Sequence, residues 1–273
     1  MQIIDGKAIA KETLDRLKAR PLPKEFLGAV LVGDDKSSVS FLKQKEKTAK
    51  ELGVDFRLYQ FPADIKNDEL RDEVGKIAAH KTCGGVIVQL PLPEQLNWYY
   101  ALNAIPREKD VDVLSERALG AFYVGRGLVL PPAVGTVQEI IENLKLEIGN
   151  SAVAVVGLGI LVGRPIANWI MRRAKETILL RSTSDLGLLK NADIVITGVG
   201  SAGLITPEML KDGAGVIDFG YGTLEGKYSG DLDTRQFKIL NSKFSIFWYT
   251  PTPGGTGPLL VAKLFENFYE LNK

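Results

Sequence analysis

The sequence predicts an α/β protein of two domains, one of them a parallel-sheet domain that binds a dinucleotide. Three observations carry this expectation. The chain has 273 residues, 45% hydrophobic and 25% charged, a length that favours two modest cores over one large one. Residues 152–165 read Ala-Val-Ala-Val-Val-Gly-Leu-Gly-Ile-Leu-Val-Gly-Arg-Pro. This is a strand apolar on both faces, then a glycine turn, then a helix with proline in its first turn. Further short apolar runs at 27–32, 55–61, 85–89, 177–180, 194–197 and 215–219 are separated by helical or turn patterns, as in parallel strands joined by crossovers.

Composition narrows the functions that fit. The chain carries 34 basic and 33 acidic residues, a net charge of +1, so no nucleic-acid or anionic-membrane partner is expected. Cys83 is the only cysteine, which excludes an internal disulfide framework and a multi-cysteine metal site. His80 is the only histidine and lies in a polar helix end, where it reads as solvated. A Ser-His-Asp triad is thereby excluded from any site lacking His80, and no metal is expected. The chain opens without an apolar signal region and has no apolar span of about 18 residues, so a cytoplasmic location is expected.

In the first half, residues 5–17 read as a helix with Ile9, Leu14 and Leu17 loosely on one face. The run 27–32 is a buried strand closed by Gly33. In the next helix, 38–52, a step of about 100° per residue puts Ser38, Phe41, Leu42, Lys45, Ala49 and Leu52 on one face. Lys43, Lys47 and Lys50 point the other way, so Lys45 is the only charge inside an apolar stripe. Two readings stand: a lysine snorkelling from the stripe, or a desolvated amine with a lowered pKa suited to proton transfer. A second strand follows at 55–61. Asn67 is expected to cap a helix with Leu70, Val74 and Ile77 on its core face.

The third strand, 85–89, runs into Leu90-Pro91-Leu92-Pro93. Ligands of open α/β sheets gather at the carboxyl ends of strands, where Gln89 falls; otherwise Gln89 satisfies loop backbone. Residues 106–112, Pro-Arg-Glu-Lys-Asp-Val-Asp, place Asp110 and Asp112 in a segment too short for a helix. Such carboxylates serve as caps or as functional groups, and the residues alone leave both open.

In the second half, Pro131 and Pro132 open a helix to about Leu146, expected to be the arm joining the domains. The glycines of the turn, Gly157, Gly159 and Gly163, follow G-x-G-x-x-x-G, one residue longer than the usual dinucleotide fingerprint. They let backbone approach a pyrophosphate that the helix N-terminus then holds. Where an NAD enzyme places a carboxylate after its second strand, this chain has Arg181-Ser182-Thr183-Ser184. A guanidinium with hydroxyls suits a 2′-phosphate, which favours NADP; Asp185 leaves NAD as the alternative. Residues 248–258 are too rich in glycine and proline for regular structure, and Pro258 starts an apolar helix over 259–271. Gly254, Gly255 and Gly257 let this backbone lie flat against a planar ligand.

Taken in order, these motifs resemble a known family. A Ser-x-x-aromatic-x-x-x-Lys helix, Val-Gln-Leu-Pro-Leu-Pro, Lys-Asp-Val-Asp, the glycine turn and Thr-Pro-Gly-Gly-Thr-Gly-Pro are similar to the bifunctional methylenetetrahydrofolate dehydrogenase/methenyltetrahydrofolate cyclohydrolases. The resemblance spans essentially the whole chain. It implies an N-terminal α/β catalytic domain (1–119 with 251–273) and a Rossmann-like domain (120–250), with the C-terminal helix returning to the first. It implies oxidation of 5,10-methylenetetrahydrofolate, bound in the cleft between domains, and hydrolysis of the methenyl product. Lys45 is then the acid/base, Gln89 its hydrogen-bond partner, and Asp112 the carboxylate on the amino-pyrimidinone edge of the pterin. Phe41, Val88, Leu90, Pro253, Gly254 and Gly255 are the implied substrate contacts. Gly157, Leu158, Gly159, Gly163, Arg164, Arg181, Ser182 and Tyr221 are the implied cofactor contacts. A homodimer is also implied.

This chain departs from the family pattern at named positions. Phe41 stands where a tyrosine is usual, Leu158-Gly159 where Arg-Ser is frequent, Val113 where glycine follows Asp-Val-Asp, and Pro132-Ala133-Val134 where Cys-Thr-Pro is usual. Two other readings compete. One is another two-domain NAD(P) dehydrogenase of shikimate or amino-acid type; the other is a catalytically silent folate- or nucleotide-binding protein.

Overall fold

The structure is a computed structural model that describes residues 2–239 and 248–273. In chain order the elements are β1 (Gln2–Ile3), α1 (Gly6–Lys18), β2 (Phe26–Val32), α2 (Lys36–Leu52), β3 (Phe56–Phe61), α3 (Asn67–Ala79), β4 (Cys83–Val88), α4 (Trp98–Leu102), α5 (Glu116–Tyr123) and α6 (Pro132–Asn143). There follow β5 (Ala152–Val156), α7 (Gly163–Ile170), β6 (Glu176–Leu180), β7 (Ile194–Thr197), β8 (Gly215–Asp218), β9 (Gly222–Leu224), β10 (Lys227–Ser229), α8 (Thr234–Ile239), β11 (Trp248–Tyr249) and α9 (Thr256–Leu271). The chain divides into two compact units, Glu12–Pro132 with Val261–Lys273, and Met1–Lys11 with Ala133–Leu260.

The first of these units holds a three-stranded parallel sheet in the order β3-β2-β4. Every residue of β2 and β4 is buried, because both faces are covered. Phe26, Val30 and Val32 face one core with Leu70, Val74 and Ile77 of α3. Leu27, Ala29 and Leu31, alternating with them, face the other with Leu42 and Ala49 of α2 and Phe265 and Phe268 of α9. Alternate residues of one strand thus serve two cores, which is why these strands read as continuous apolar runs.

The other unit is built on a six-stranded sheet in the order β1-β11-β8-β7-β5-β6, parallel at every pairing. The chain leaves β5 for β6 on one side and returns to β7 on the other. A crevice therefore opens over the carboxyl ends of β5 and β7, the switch point where such sheets take ligands. No helix among the described residues is long and apolar enough to cross a membrane.

Several expectations need correction. Asn67 does not cap α3; Lys66 holds that position, and the Asn67 side-chain carbonyl accepts the Asn97 N–H at 2.7 Å. Residues 248–249 are regular after all, since β11 fills the gap between β1 and β8. Helix α6 ends at Asn143, short of Leu146, where Lys145 turns left-handed at φ 53°. The short helices α4 and α5, the hairpin β9–β10 and the two-residue β1 were not anticipated.

Candidate active site

Helix α2 presents the lysine. Asp35 caps its start by accepting the Ser38 N–H at 2.8 Å, and Gly53 ends it in the left-handed region at φ 78°. Ser38, Leu42, Ala49 and Leu52 are buried along one face, with Phe41 and Lys45 half-buried on it. The Lys45 Nζ donates to the Gln89 Oε1 at 3.0 Å. Gln89, immediately past β4, is held in turn: its N–H donates to the Val30 carbonyl at 2.9 Å and its Nε2 to the Leu90 carbonyl at 2.7 Å. The Leu90–Pro91 peptide is cis.

Burial pushes the Lys45 amine below its usual value, and the negative charge of Asp112 partly offsets that. The same burial pushes Asp112 up, against the pull of Lys45. The two groups are therefore electrostatic partners, brought together from α2 and the loop after residue 109. Asp112 accepts no hydrogen bond from any described residue, whereas Asp110 is held by backbone N–H groups. The Asp110 Oδ2 accepts the N–H groups of Leu114 at 3.0 Å and Ser115 at 2.7 Å. The carboxylates thus divide, one fixing the loop and one left open to a ligand.

The loop is held on both sides of Asp112. Asn267 of α9 donates through Nδ2 to the carbonyls of Val111 and Leu130, both at 2.8 Å. Val113 sits in the left-handed region at φ 56° and is buried. For a β-branched residue this backbone costs about 1–2 kcal/mol, and it is the place where the family pattern has glycine. Of the implied substrate contacts in this unit, Phe41 lies one turn before Lys45. Leu90 packs at the core's edge, and the Val88 side chain is inside the core, which leaves only its backbone to face a ligand.

In the unit of the six-stranded sheet, the glycine turn follows β5. Gly157 is left-handed at φ 85°, and a Cβ on Gly163 would collide with the Gly157 carbonyl. Gly159 faces open space, so two of the three glycines are required by the fold and the third leaves room. Helix α7 begins without a side-chain cap, so no side chain competes with an anion for its first N–H groups. This turn fits a pyrophosphate. Arg164 folds back, donating through Nε to the Leu158 carbonyl at 2.9 Å. Arg181 and Ser182 are exposed just after β6. Asp185 instead accepts the Gly187 N–H at 2.9 Å as a local cap.

Tyr221 is 44% exposed and stacks on Tyr228 with ring centroids 5.0 Å apart. Pro253 follows a cis peptide, Gly254 is at φ 101°, and Gly255 donates to the Pro251 carbonyl at 2.8 Å. A Cβ on Gly6 would collide with the Gly255 carbonyl, so α1 starts directly against this loop. Gly6, Asn267 and the buried carboxylates Asp218 and Asp231 were missed from sequence. A lone amide in the apolar face of α9, and an acid directly ending an apolar strand, were the available signals.

Comparison with known proteins matches the chain in two consecutive segments. Residues 4–112 match the family model for the tetrahydrofolate dehydrogenase/cyclohydrolase catalytic domain, and residues 131–273 match that family's NAD(P)-binding domain. The bifunctional protein FolD of Geobacillus thermodenitrificans is 36% identical, with 98% of this chain and 96% of that protein aligned. Among solved structures, the FolD dehydrogenase/cyclohydrolase of Campylobacter jejuni superposes with a TM-score of 0.91 at 28% identity, covering 100% of this chain and 98% of that one. The Trypanosoma brucei enzyme, solved with NADP cofactor and an inhibitor, gives 0.89 at 27% identity, covering 98% and 96%.

Proposed function

This chain belongs to the tetrahydrofolate dehydrogenase/cyclohydrolase family, and from that premise we propose that it oxidises 5,10-methylenetetrahydrofolate with NADP and hydrolyses the methenyl product to 10-formyltetrahydrofolate, with Lys45 as the proton carrier. The observation that carries the assignment is the Lys45–Gln89 hydrogen bond at 3.0 Å, formed by a buried amine beside Asp112.

Bound NADP would supply the hydride acceptor. The residues that would hold it are Gly157, Gly159 and Gly163 at the pyrophosphate, with the N-terminus of α7, and Arg181 and Ser182 at the 2′-phosphate. Leu158, Arg164 and Tyr221 would line the same site. Asp185 is engaged as a cap, which disfavours the ribose contact an NAD enzyme makes. Asp112 would accept two parallel N–H bonds from the amino-pyrimidinone edge of the pterin. Phe41 would stack on the ring system, while the backbone of Val88, Leu90, Pro253, Gly254 and Gly255 would supply the remaining contacts.

Hydrolysis needs a group that removes a proton from water as it attacks the methenyl carbon. The same group can return that proton to the nitrogen released when the carbon–nitrogen bond breaks. Burial raises the neutral fraction of the Lys45 amine near neutral pH, and the Gln89 Oε1 fixes where one of its N–H bonds points. Phe41 offers the ring of the family's tyrosine without its hydroxyl. The protein acts in the cytoplasm as a homodimer; the exposed Leu179 on edge strand β6 and Met171 after α7 are apolar surface that such pairing would cover.

The test is an assay of purified protein with methylenetetrahydrofolate and either NADP or NAD, and separately with supplied methenyltetrahydrofolate. Both activities are expected, with the higher kcat/KM for NADP. Binding without turnover would instead identify a silent folate-binding protein.

A further inference from the structure

The chemistry above leaves unexplained a buried carboxylate in the unit of the six-stranded sheet. Asp231 lies after β10 and is 0% exposed. Burying a carboxylate costs several kcal/mol unless its oxygens are satisfied. Here they are. The Asp231 Oδ2 accepts the Thr197 hydroxyl and the Val199 N–H, both at 2.7 Å, and Oδ1 accepts the Ser201 N–H at 2.8 Å. All three donors belong to the end of β7 and the loop that leaves it.

That loop lies against the glycine turn. A Cβ on Gly157 would sit 2.9 Å from both the Gly198 carbonyl oxygen and the Val199 Cγ2. The Gly157 turn and the 198–201 loop are thus neighbours at the carboxyl ends of β5 and β7, the two sides of the switch-point crevice. Asp231 is itself fixed: its N–H donates to Asp218 Oδ1 at 3.2 Å, and the Leu232 N–H donates to Asp218 Oδ2 at 2.9 Å. Gly220 and Gly230 have no room for a Cβ beside these carboxylates.

We propose that Asp231 is a positioning residue of the dinucleotide site, holding the 198–201 loop against the Gly157 turn so that the crevice keeps the shape the nucleotide needs. The proposal rests on the reading of the glycine turn as that site. A loop whose N–H groups are tied to a buried carboxylate is set before the ligand arrives, so less ordering is lost on binding. An amide in place of the carboxylate turns one acceptor into a donor that faces N–H groups.

The experiment measures NADP affinity by direct titration, the KM values for NADP and for methylenetetrahydrofolate, and the thermal midpoint. The parent, Asp231→Asn, Thr197→Val and Thr197→Ser are compared. Asp231→Asn should weaken NADP binding by ~10-fold or more, from a lost charged hydrogen bond. Thr197→Val removes one donor to Asp231 and should weaken it by ~3-fold, while Thr197→Ser, which keeps the hydroxyl, should stay within ~2-fold of the parent. The KM for the folate should move by less than ~3-fold.

Equal rises in both KM values, or a fall in the thermal midpoint with NADP affinity at the parent's value, would overturn the proposal. If Asp231→Asn does not fold, the threonine pair decides: Val and Ser variants with the same NADP affinity would overturn it. A parent that turns over folate without binding NADP would instead refute the nucleotide reading beneath it.

Discussion

Each unit of the protein buries a pair of charged groups, and the pairs are built on opposite principles. Lys45 and Asp112 are of opposite sign, so each offsets part of what burial does to the other. Asp218 and Asp231 are of the same sign, and the charge of Asp231 adds to burial in raising Asp218 to about 7. The pairs also differ in saturation. Asp231 and Asp218 each accept three hydrogen bonds from neighbouring backbone or hydroxyl groups, whereas Asp112 accepts none from the described residues. A buried charge that serves architecture has its oxygens filled by the protein. One that serves a ligand keeps them open and relies on an opposite charge to remain tolerable.

The like-charge pair makes the largest prediction. Asp218 holds its proton to about pH 7 in the folded protein, against an ordinary value of 3.8. Between those values the folded state binds a proton that the unfolded chain has released, so stability falls as pH rises through that window. At about 1.4 kcal/mol per pH unit the fall is on the order of 4 kcal/mol. Urea unfolding at about pH 5 and pH 8 crosses roughly two pH units of that window, so it should show a fall of about 3 kcal/mol in the parent and a flatter response in Asp218→Asn, which cannot ionise. Equal responses in both proteins would remove the contrast between the pairs.

The opposite-charge pair predicts the next effect. Asp112→Asn should raise the KM for the folate by roughly 10–100-fold, the loss of charge-assisted hydrogen bonds to the pterin edge. It also removes the charge that holds the Lys45 value up, so the pH limb of methenyl hydrolysis that reports Lys45 should move to lower pH. A limb that moves upward would mean that Asp112 does not face the amine.

Smaller effects sharpen the comparison at each site's edge. Arg181→Ala should weaken NADP by about 1–3 kcal/mol and leave NAD almost untouched; steady-state kinetics with both cofactors decide it. Phe41→Tyr restores the hydroxyl one turn before Lys45 and should speed methenyl hydrolysis by roughly 3- to 10-fold, the worth of one auxiliary hydrogen bond. A tyrosine variant no faster than the parent would mean that the pocket has rearranged around Phe41.

Much of this was legible because it is periodic or conformationally forced. Strands such as β2, β4, β5 and β7 are buried on both faces and so read as apolar runs. The 3.6-residue period placed Lys45 within the stripe of α2, and the strand-end rule put Gln89 where a ligand or the loop backbone could take it, but their partnership was implied only by the family resemblance. Elements of two to five residues, such as β1, β11 and α4, are too short to show a period. Without the family resemblance the roles of Asp110 and Asp112 could not be separated, because a carboxylate's task depends on which N–H groups the folded backbone turns towards it. Asn67 failed as a cap for the same reason, its carbonyl being taken by the Asn97 N–H 30 residues away. Val113 adopts the left-handed turn that a glycine would adopt freely, and nothing in its side chain announces that.

The most direct test of the account is methenyl hydrolysis by Lys45→Met. Methionine keeps the apolar stem in the α2 stripe and removes the amine, so packing is largely preserved. The variant should fold, bind NADP as the parent does, and hydrolyse supplied methenyltetrahydrofolate more slowly by about 10²–10⁴-fold, the usual worth of a general acid–base group. Hydrolysis at the parent's rate would contradict the account and make Lys45 a structural lysine held by Gln89.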